Sequence, residues 1–177
     1  MMGHSSTMII GIDPGLNGGI AWGWEWSSIF AVKMPVIKAD GKKVIDLSLL
    51  AATLQDLRDE YPDENGVRHA VAYVERVHAM PGQGVSSMFN FGMGYGAIQG
   101  ILAALRIQYK LIQPKVWQTV LSGVDQSLGK KRSVVYCKQM HPTINCGKIT
   151  DGVADAACIV EYALKQLPQE RLPEWRS

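Results

Sequence analysis

Short apolar runs that end in an acid recur along this chain, and they set its elements. Met8-Ile9-Ile10-Gly11-Ile12-Asp13 is the first. Its unbroken hydrophobicity is that of a strand buried on both faces. Pro14-Gly15-Leu16-Asn17-Gly18-Gly19 reads as a turn, because proline fixes φ and glycine tolerates positive φ. Ile20-Ala21-Trp22 resumes a strand, so the chain opens with a hairpin and Asp13 lies at its bend. Ile29 to Met34 is a candidate third strand, and Pro35 to Lys43 reads as a polar connection. Asp46 is placed to cap a helix that aligns Leu47, Leu50, Ala51, Leu54 and Leu57 on one face. The turn-rich stretch from Tyr61 to Gly66 ends it. Ala70-Val71-Ala72-Tyr73-Val74-Glu75 is a second buried-strand run closed by an acid.

His78 to Ser87 then forms a loop containing glycine and serine. From Met88 to Leu105 comes a segment crowded with small residues, Gly92, Gly94, Gly96, Ala97, Gly100, Ala103 and Ala104. Each glycine costs a helix about 1 kcal/mol relative to alanine, so close backbone approach is the return. Tyr109 to Ile112 reads as a strand, and Pro114 suits the first turn of a short helix from Lys115 to Leu121. Further helices are expected from Lys130 to Met140 and from Asp151 to Leu167. This order of three strands, helix, strand, helix, strand, helices predicts an α/β fold with a mixed sheet flanked by helices on both faces. A single domain from 8 to 167 is expected, with flexible termini at 1–7 and 168–177.

Composition narrows the class. Among 177 residues, 47% are hydrophobic, which excludes disorder. No apolar run approaches the ~20 residues of a membrane span, so no membrane partner is expected. Met1 to Thr7 lacks the charged-then-apolar order of a signal peptide. Cys137, Cys146 and Cys158 are odd in number and lack CxxC spacing, which argues against a disulfide framework or structural zinc. The expected setting is the cytoplasm. Net charge is only +2, but from Arg106 to Lys148 eight cations face a single acid, Asp125. Such a stretch suits a phosphate-binding face, or an ordinary solvated surface.

The acids suggest the chemistry. An ion is poorly tolerated inside a doubly buried strand, but at the strand's end it can face a cleft. Asp13 and Glu75 both occupy strand ends. Asp151 and Asp155 are four apart on one helix, a spacing of about 5–6 Å between Cβ atoms. Their mutual repulsion is partly offset by the positive end of the helix dipole, and a cation would remove it. Hard Mg²⁺ takes oxygen ligands, and a pair of such ions roughly 3.5–4 Å apart can activate water and stabilise a leaving oxygen of a phosphodiester. Each acid also has a structural reading: Asp13 as a turn former, Asp151 as a helix cap, Glu75 and Asp155 as partners of lysines.

Ile10-Gly11-Ile12-Asp13-Pro14-Gly15 with Gly18-Gly19-Ile20-Ala21 resembles the opening motif of RuvC-type Holliday-junction resolvases. Tyr73-Val74-Glu75 resembles their second acidic strand, and Asp151-Gly152-Val153-Ala154-Asp155-Ala156-Ala157 their closing helix. The match runs from Met8 to Leu164. The segment from His78 to Ser87, with Phe91-Gly92 and Gly94-Tyr95-Gly96, is similar to the phage and chloroplast branch rather than the ordinary bacterial one. The four-residue step between the last two acids also departs from the bacterial three-residue step.

The resemblance implies an RNase H-like fold with a five-stranded mixed sheet, a homodimer, and paired nicks in a four-way DNA junction that leave 5′-phosphates. It implies a magnesium site made by Asp13, Glu75, Asp151 and Asp155, with Mn²⁺ as a substitute and two ions per site. A basic residue near the scissile phosphate is also implied; Lys130 is the best match, with Lys131 and Lys115 as alternatives. Gln83, Ser86, Ser87, Lys115, Lys131 and Arg132 are candidate DNA contacts. Competing readings are a wider branched-DNA or RNA nuclease, a non-catalytic junction binder, and an actin-like or sugar-kinase ATPase. The last needs a second lobe for which the chain is too short.

Overall fold

The structure is a computed structural model that describes residues 7–25, 27–60, 69–78, 84–142, 144 and 148–166. Strands β1 (Thr7–Asp13), β2 (Gly19–Glu25) and β3 (Ser28–Lys33) form an antiparallel meander. A separate ribbon follows, β4 (Val36–Ala39) paired with β5 (Lys42–Ile45). Then come α1 (Leu47–Glu60), β6 (His69–Glu75), α2 (Val85–Ala104) and β7 (Gln108–Ile112). A short α3 (Pro114–Trp117) runs into two 3₁₀ turns, Gln118–Leu121 and Gln126–Lys131; α4 (Arg132–Met140) and α5 (Asp151–Gln166) complete the described chain.

The main sheet has five strands in the order β3-β2-β1-β6-β7, with β1, β6 and β7 parallel. This is the α/β, RNase H-like arrangement expected from the sequence. Side-chain alternation along the strands divides the interior into two cores. Ile10, Ile12, Ala72 and Val74 pack with Leu50, Leu54, Ile98 and Leu102 of α1 and α2. Ile9, Val71 and Tyr73 face the other way, against α4 and α5.

Two features bind α5 to its surroundings. Gly11 lies directly beneath it, where an added Cβ would sit 2.4 Å from the carbonyl oxygen of Ala156. At the outer side, Glu161 is 1% exposed yet fully engaged. It accepts from Tyr136 Oη at 2.7 Å and from Lys165 Nζ at 2.5 Å, and pairs with His141 Nε2 at 2.8 Å. Burial pushes this carboxyl up, but the three hydrogen bonds win and hold it at about 2. The Glu161 cluster thereby fastens α4 and the residue after it to α5.

The structure corrects the expected polar connection from Pro35 to Lys43. It is the β4–β5 hairpin, turned by Asp40 (φ 51°) and Gly41 (φ 74°). An Asp-Gly pair between apolar positions is a two-residue hairpin signal, so this element was readable. Asp46 caps α1 as expected, its Oδ1 accepting from Leu49 N at 3.0 Å. The expected helix from Lys130 begins instead at Arg132. Gly129, at φ 52° and ψ −125°, breaks helical geometry just before it, leaving Lys130 and Lys131 on the 3₁₀ turn.

Candidate metal and phosphodiester site

Strand pairing brings the first two acids together. β1 and β6 are adjacent and parallel, with Ile12 opposite Val74, so Asp13 and Glu75 emerge at the same sheet edge. Alternation then sets their side. Residues 9, 71 and 73 pack toward α5, and 13 and 75 continue the same parity. The hairpin bend after Asp13 is tight: Gly15 N donates to Asp13 Oδ1 at 3.4 Å and Gly18 N to Gly15 O at 2.8 Å.

The helix bearing the other two acids arrives by backbone contact with that bend. An added Cβ on Gly152 would lie 2.3 Å from Asn17 O, 2.4 Å from Gly18 Cα and 2.8 Å from Asp13 Oδ2. One on Gly19 would lie 2.8 Å from Val153 Cα. Only glycines allow this approach. It sets Asp151 and Asp155, one turn apart at the start of α5, beside Asp13. The result is a cleft of about 480 Å³ lined by Asp13, Glu75, Asp151 and Asp155 together with Lys130 and Arg132.

The carboxylates feel both their burial and one another. Burial pushes the Asp13 carboxyl up, opposed by the Gly15 amide. Burial likewise raises Glu75, opposed by the Trp117 indole and reinforced by Asp13. Asp155 is raised to about 7, chiefly by burial; a hydrogen bond from Ser133 opposes this, and the charges of Asp13, Glu75 and Asp151 add to it. A cluster that repels its own ionisation in this way is short of positive charge at its centre.

All four donors are hard oxygens, the set that suits Mg²⁺ or Mn²⁺. With the side chains as placed, no three His, Cys, Asp or Glu groups among the described residues converge as a ready coordination sphere. The four acids nonetheless line one cleft, and Mg²⁺ needs only a few carboxylates because it keeps several waters.

Two members of the site were not anticipated. Trp117 is buried, and its Nε1–H donates to Glu75 Oε2 at 2.7 Å. Pro114 at the first turn of α3 starts that helix directly after β7, whose Ile112 pairs with Glu75; the indole is thus delivered to the carboxylate. Ser133 is buried on α4 against Asp155. The pattern gave both residues only generic helix positions, since neither partner is close in sequence.

The remaining expected residues divide. Lys130 and Arg132 line the cleft, and Arg132 also donates to Leu121 O at 3.1 Å. Lys131 and Lys115 are exposed and lie outside the lining. Ser86 and Ser87, expected in a loop, are exposed on the first turn of α2. Gln83 lies outside the described residues. Phe91 stacks on Tyr95 at 6.5 Å within α2.

No family model matches the sequence, and no curated protein does. Solved structures share the fold. One is T. thermophilus RuvC in complex with a Holliday junction substrate, with a TM-score of 0.57 and 12% identity over 92% of this chain and 96% of that one. Another, the Thermus thermophilus RuvC structure, gives 0.55 and 14% over the same shares. The likeness is one of fold, a RuvC-like mixed sheet with flanking helices.

Proposed function

We propose that this chain is a Mg²⁺-dependent, structure-selective endonuclease that resolves four-way DNA junctions by paired nicks, leaving 5′-phosphate ends. The observation that carries the reading is the convergence of Asp13, Glu75, Asp151 and Asp155, from two strands and a helix, on one cleft with Lys130 and Arg132 in its wall. A protein of the same fold is solved with a Holliday junction substrate, which supports branched DNA as the substrate class. The segment from His78 to Ser87, with Phe91-Gly92 and Gly94-Tyr95-Gly96, and the four-residue step from Asp151 to Asp155 favour the phage and chloroplast branch of the RuvC-like enzymes, acting as crossover junction endodeoxyribonucleases.

The four carboxylates would hold Mg²⁺, or Mn²⁺ in its place, in a two-ion site. Bound there, the metal supplies an activated water and a charge partner for the leaving oxygen. The chain's own groups do the rest. Trp117 holds Glu75 in one orientation and favours its ionised form. Ser133 does the same for Asp155. Lys130 neutralises the phosphate as charge builds on its non-bridging oxygens, and Arg132 holds the adjoining backbone. The ionised carboxylates are the forms that would hold the metal, and Asp155 is raised to about 7, so activity is expected to rise with pH through the neutral range.

Paired nicks in a symmetric junction need two active sites, and α2 supplies a surface for a second copy. Val85, Phe89 and Met93 are 80%, 66% and 52% exposed. Gly92, Gly96 and Gly100 continue the stripe at helical spacing, with open space where a Cβ would be. Such a face permits close helix–helix packing between two protomers.

The test is Mg²⁺-dependent cleavage of a four-way junction beside a flap, a fork and an RNA duplex. Cutting of the junction, abolished by Asp13→Asn, is the expected result; undiminished cutting by that variant overturns the proposal. Equal cutting of flaps and forks would favour the broader reading, a debranching nuclease, for which the same cleft suffices.

A further inference from the structure

A second groove lies against the acid cleft. Its volume is about 570 Å³, and Lys33, Lys43 and Lys148 line it. Leu16, Asn17, Gly18 and Asp151 line both spaces. The β1–β2 bend and the start of α5 are therefore a common wall, with carboxylates on one side and lysines on the other. Among the described residues none of these three lysines is ion-paired.

The β4–β5 hairpin sharpens this. From Lys33 to Ile45 the sequence holds four lysines and one acid, Asp40 at the turn. The strand register sets Lys38 directly opposite Lys43, on the same face as Val36, which lines the groove. Like charges in that cross-strand position destabilise a ribbon. This ribbon is two-stranded and stands apart from the main sheet, so the arrangement works against the element that bears it. An anion lying on that face relieves the repulsion. The base of the ribbon is tied to the shared wall: Met34 N donates to Gly18 O at 3.0 Å, and Asp46 N to Pro35 O at 2.9 Å. Lys33, at the end of β3, and Lys43 on the ribbon are thus joined through the backbone to the bend that follows Asp13.

We propose that this groove binds the phosphodiester backbone of the nucleic-acid strand as it leaves the acid cleft, with Lys33, Lys43 and Lys148 as its phosphate contacts. This rests on reading the acid cleft as a phosphodiester site. A polyanion crossing four carboxylates needs positive charge on its flanks. Lys130 and Arg132 line the cleft and not the groove; the groove lysines extend that positive charge past the β1–β2 bend. The contacts are to backbone, so they hold the strand in register and carry no base preference.

The experiment is the affinity for a four-way junction, measured by fluorescence anisotropy across a salt series with Ca²⁺ present. It compares the wild type, the triple variant Lys33→Gln/Lys43→Gln/Lys148→Gln, and Arg106→Gln, which removes an exposed cation before β7, at the opposite sheet edge. Each lost phosphate contact lowers the slope of log K against log salt by about 0.9. The expected result is a slope about 2–3 smaller in the triple variant and unchanged in Arg106→Gln, with both melting like the wild type. An unchanged slope in the triple variant, while the wild type binds and cuts junctions, overturns the groove and leaves the nuclease reading standing. A drop per charge as large in Arg106→Gln overturns it too. No junction binding by the wild type overturns both.

Discussion

The indole of Trp117 donates to the Glu75 carboxylate at 2.7 Å, across 42 positions of sequence. The bond lies at the wall of a cleft whose other acids repel Glu75's charge, and it favours the ionised form that a metal ligand must have. Trp117→Phe keeps the packing and removes the donor. A hydrogen bond to a charged group is worth about 1.5–3 kcal/mol, and its loss removes what opposes burial at this carboxyl, so Glu75 should titrate higher still. The acid limb of the cleavage pH profile should move up with it, with about 10-fold or greater loss of rate at neutral pH. An unmoved limb with full activity would remove Glu75 from the reaction.

Asp155 has the opposite bearing on stability and on function. Its folded value of about 7 lies above the ordinary 3.8, so between these values the folded chain binds more protons than the unfolded chain. Stability of the metal-free protein therefore falls as pH rises from about 4 through 7, then levels. Asp155→Asn should melt several degrees higher than the wild type at pH 8 without metal, where about 1 kcal/mol is worth ~2–4 °C. The advantage should vanish below pH 4. The same variant should lose junction cleavage. Calorimetry across pH with a chelator, beside a cleavage assay, reads both; equal melting at all pH values contradicts the account.

Gly152 is the point where α5 meets the Asn17–Gly18 backbone. In Gly152→Ala the added methyl meets backbone atoms rather than a flexible side chain, so either the helix or the bend must move. A stability loss of about 1–3 kcal/mol follows, as for other overpacked sites. Cleavage should fall further than the stability loss explains, because Asp151 and Asp155 are displaced from Asp13. Denaturant titration and rates at saturating Mg²⁺ separate the two effects. Wild-type cleavage in a destabilised variant would show that the acids need no such closeness.

Phe89 stands at the centre of the exposed apolar stripe on α2. Phe89→Asp leaves the monomer's core untouched and places a charge where a second protomer would pack. Sedimentation should show a dimer for the wild type and a monomer for the variant. On a supercoiled plasmid bearing a cruciform, the product should shift from linear to singly nicked. A wild type that sediments as a monomer at micromolar concentration ends this assignment of α2.

The local pattern determined much of this protein. Asp13 and Glu75 were visible as acids at the ends of apolar runs, because period and polarity are properties of contiguous residues. Asp151 and Asp155 were visible as a pair because helical spacing is equally local. Even the overlooked hairpin had its signal in Asp40-Gly41, whose positive φ angles are a demand of the turn itself. What local pattern could not supply was which distant segments meet. The parallel pairing of β1 with β6 places Asp13 beside Glu75. Glycine-to-backbone contact places α5 against the first bend, and the start of α3 after β7 brings Trp117 to Glu75. Each depends on long-range packing, in which a residue's partner is chosen by strand order and close approach rather than by spacing along the chain. For the same reason Lys130 and Arg132 reach the cleft while Lys131 and Lys115, alike in charge and near in sequence, do not.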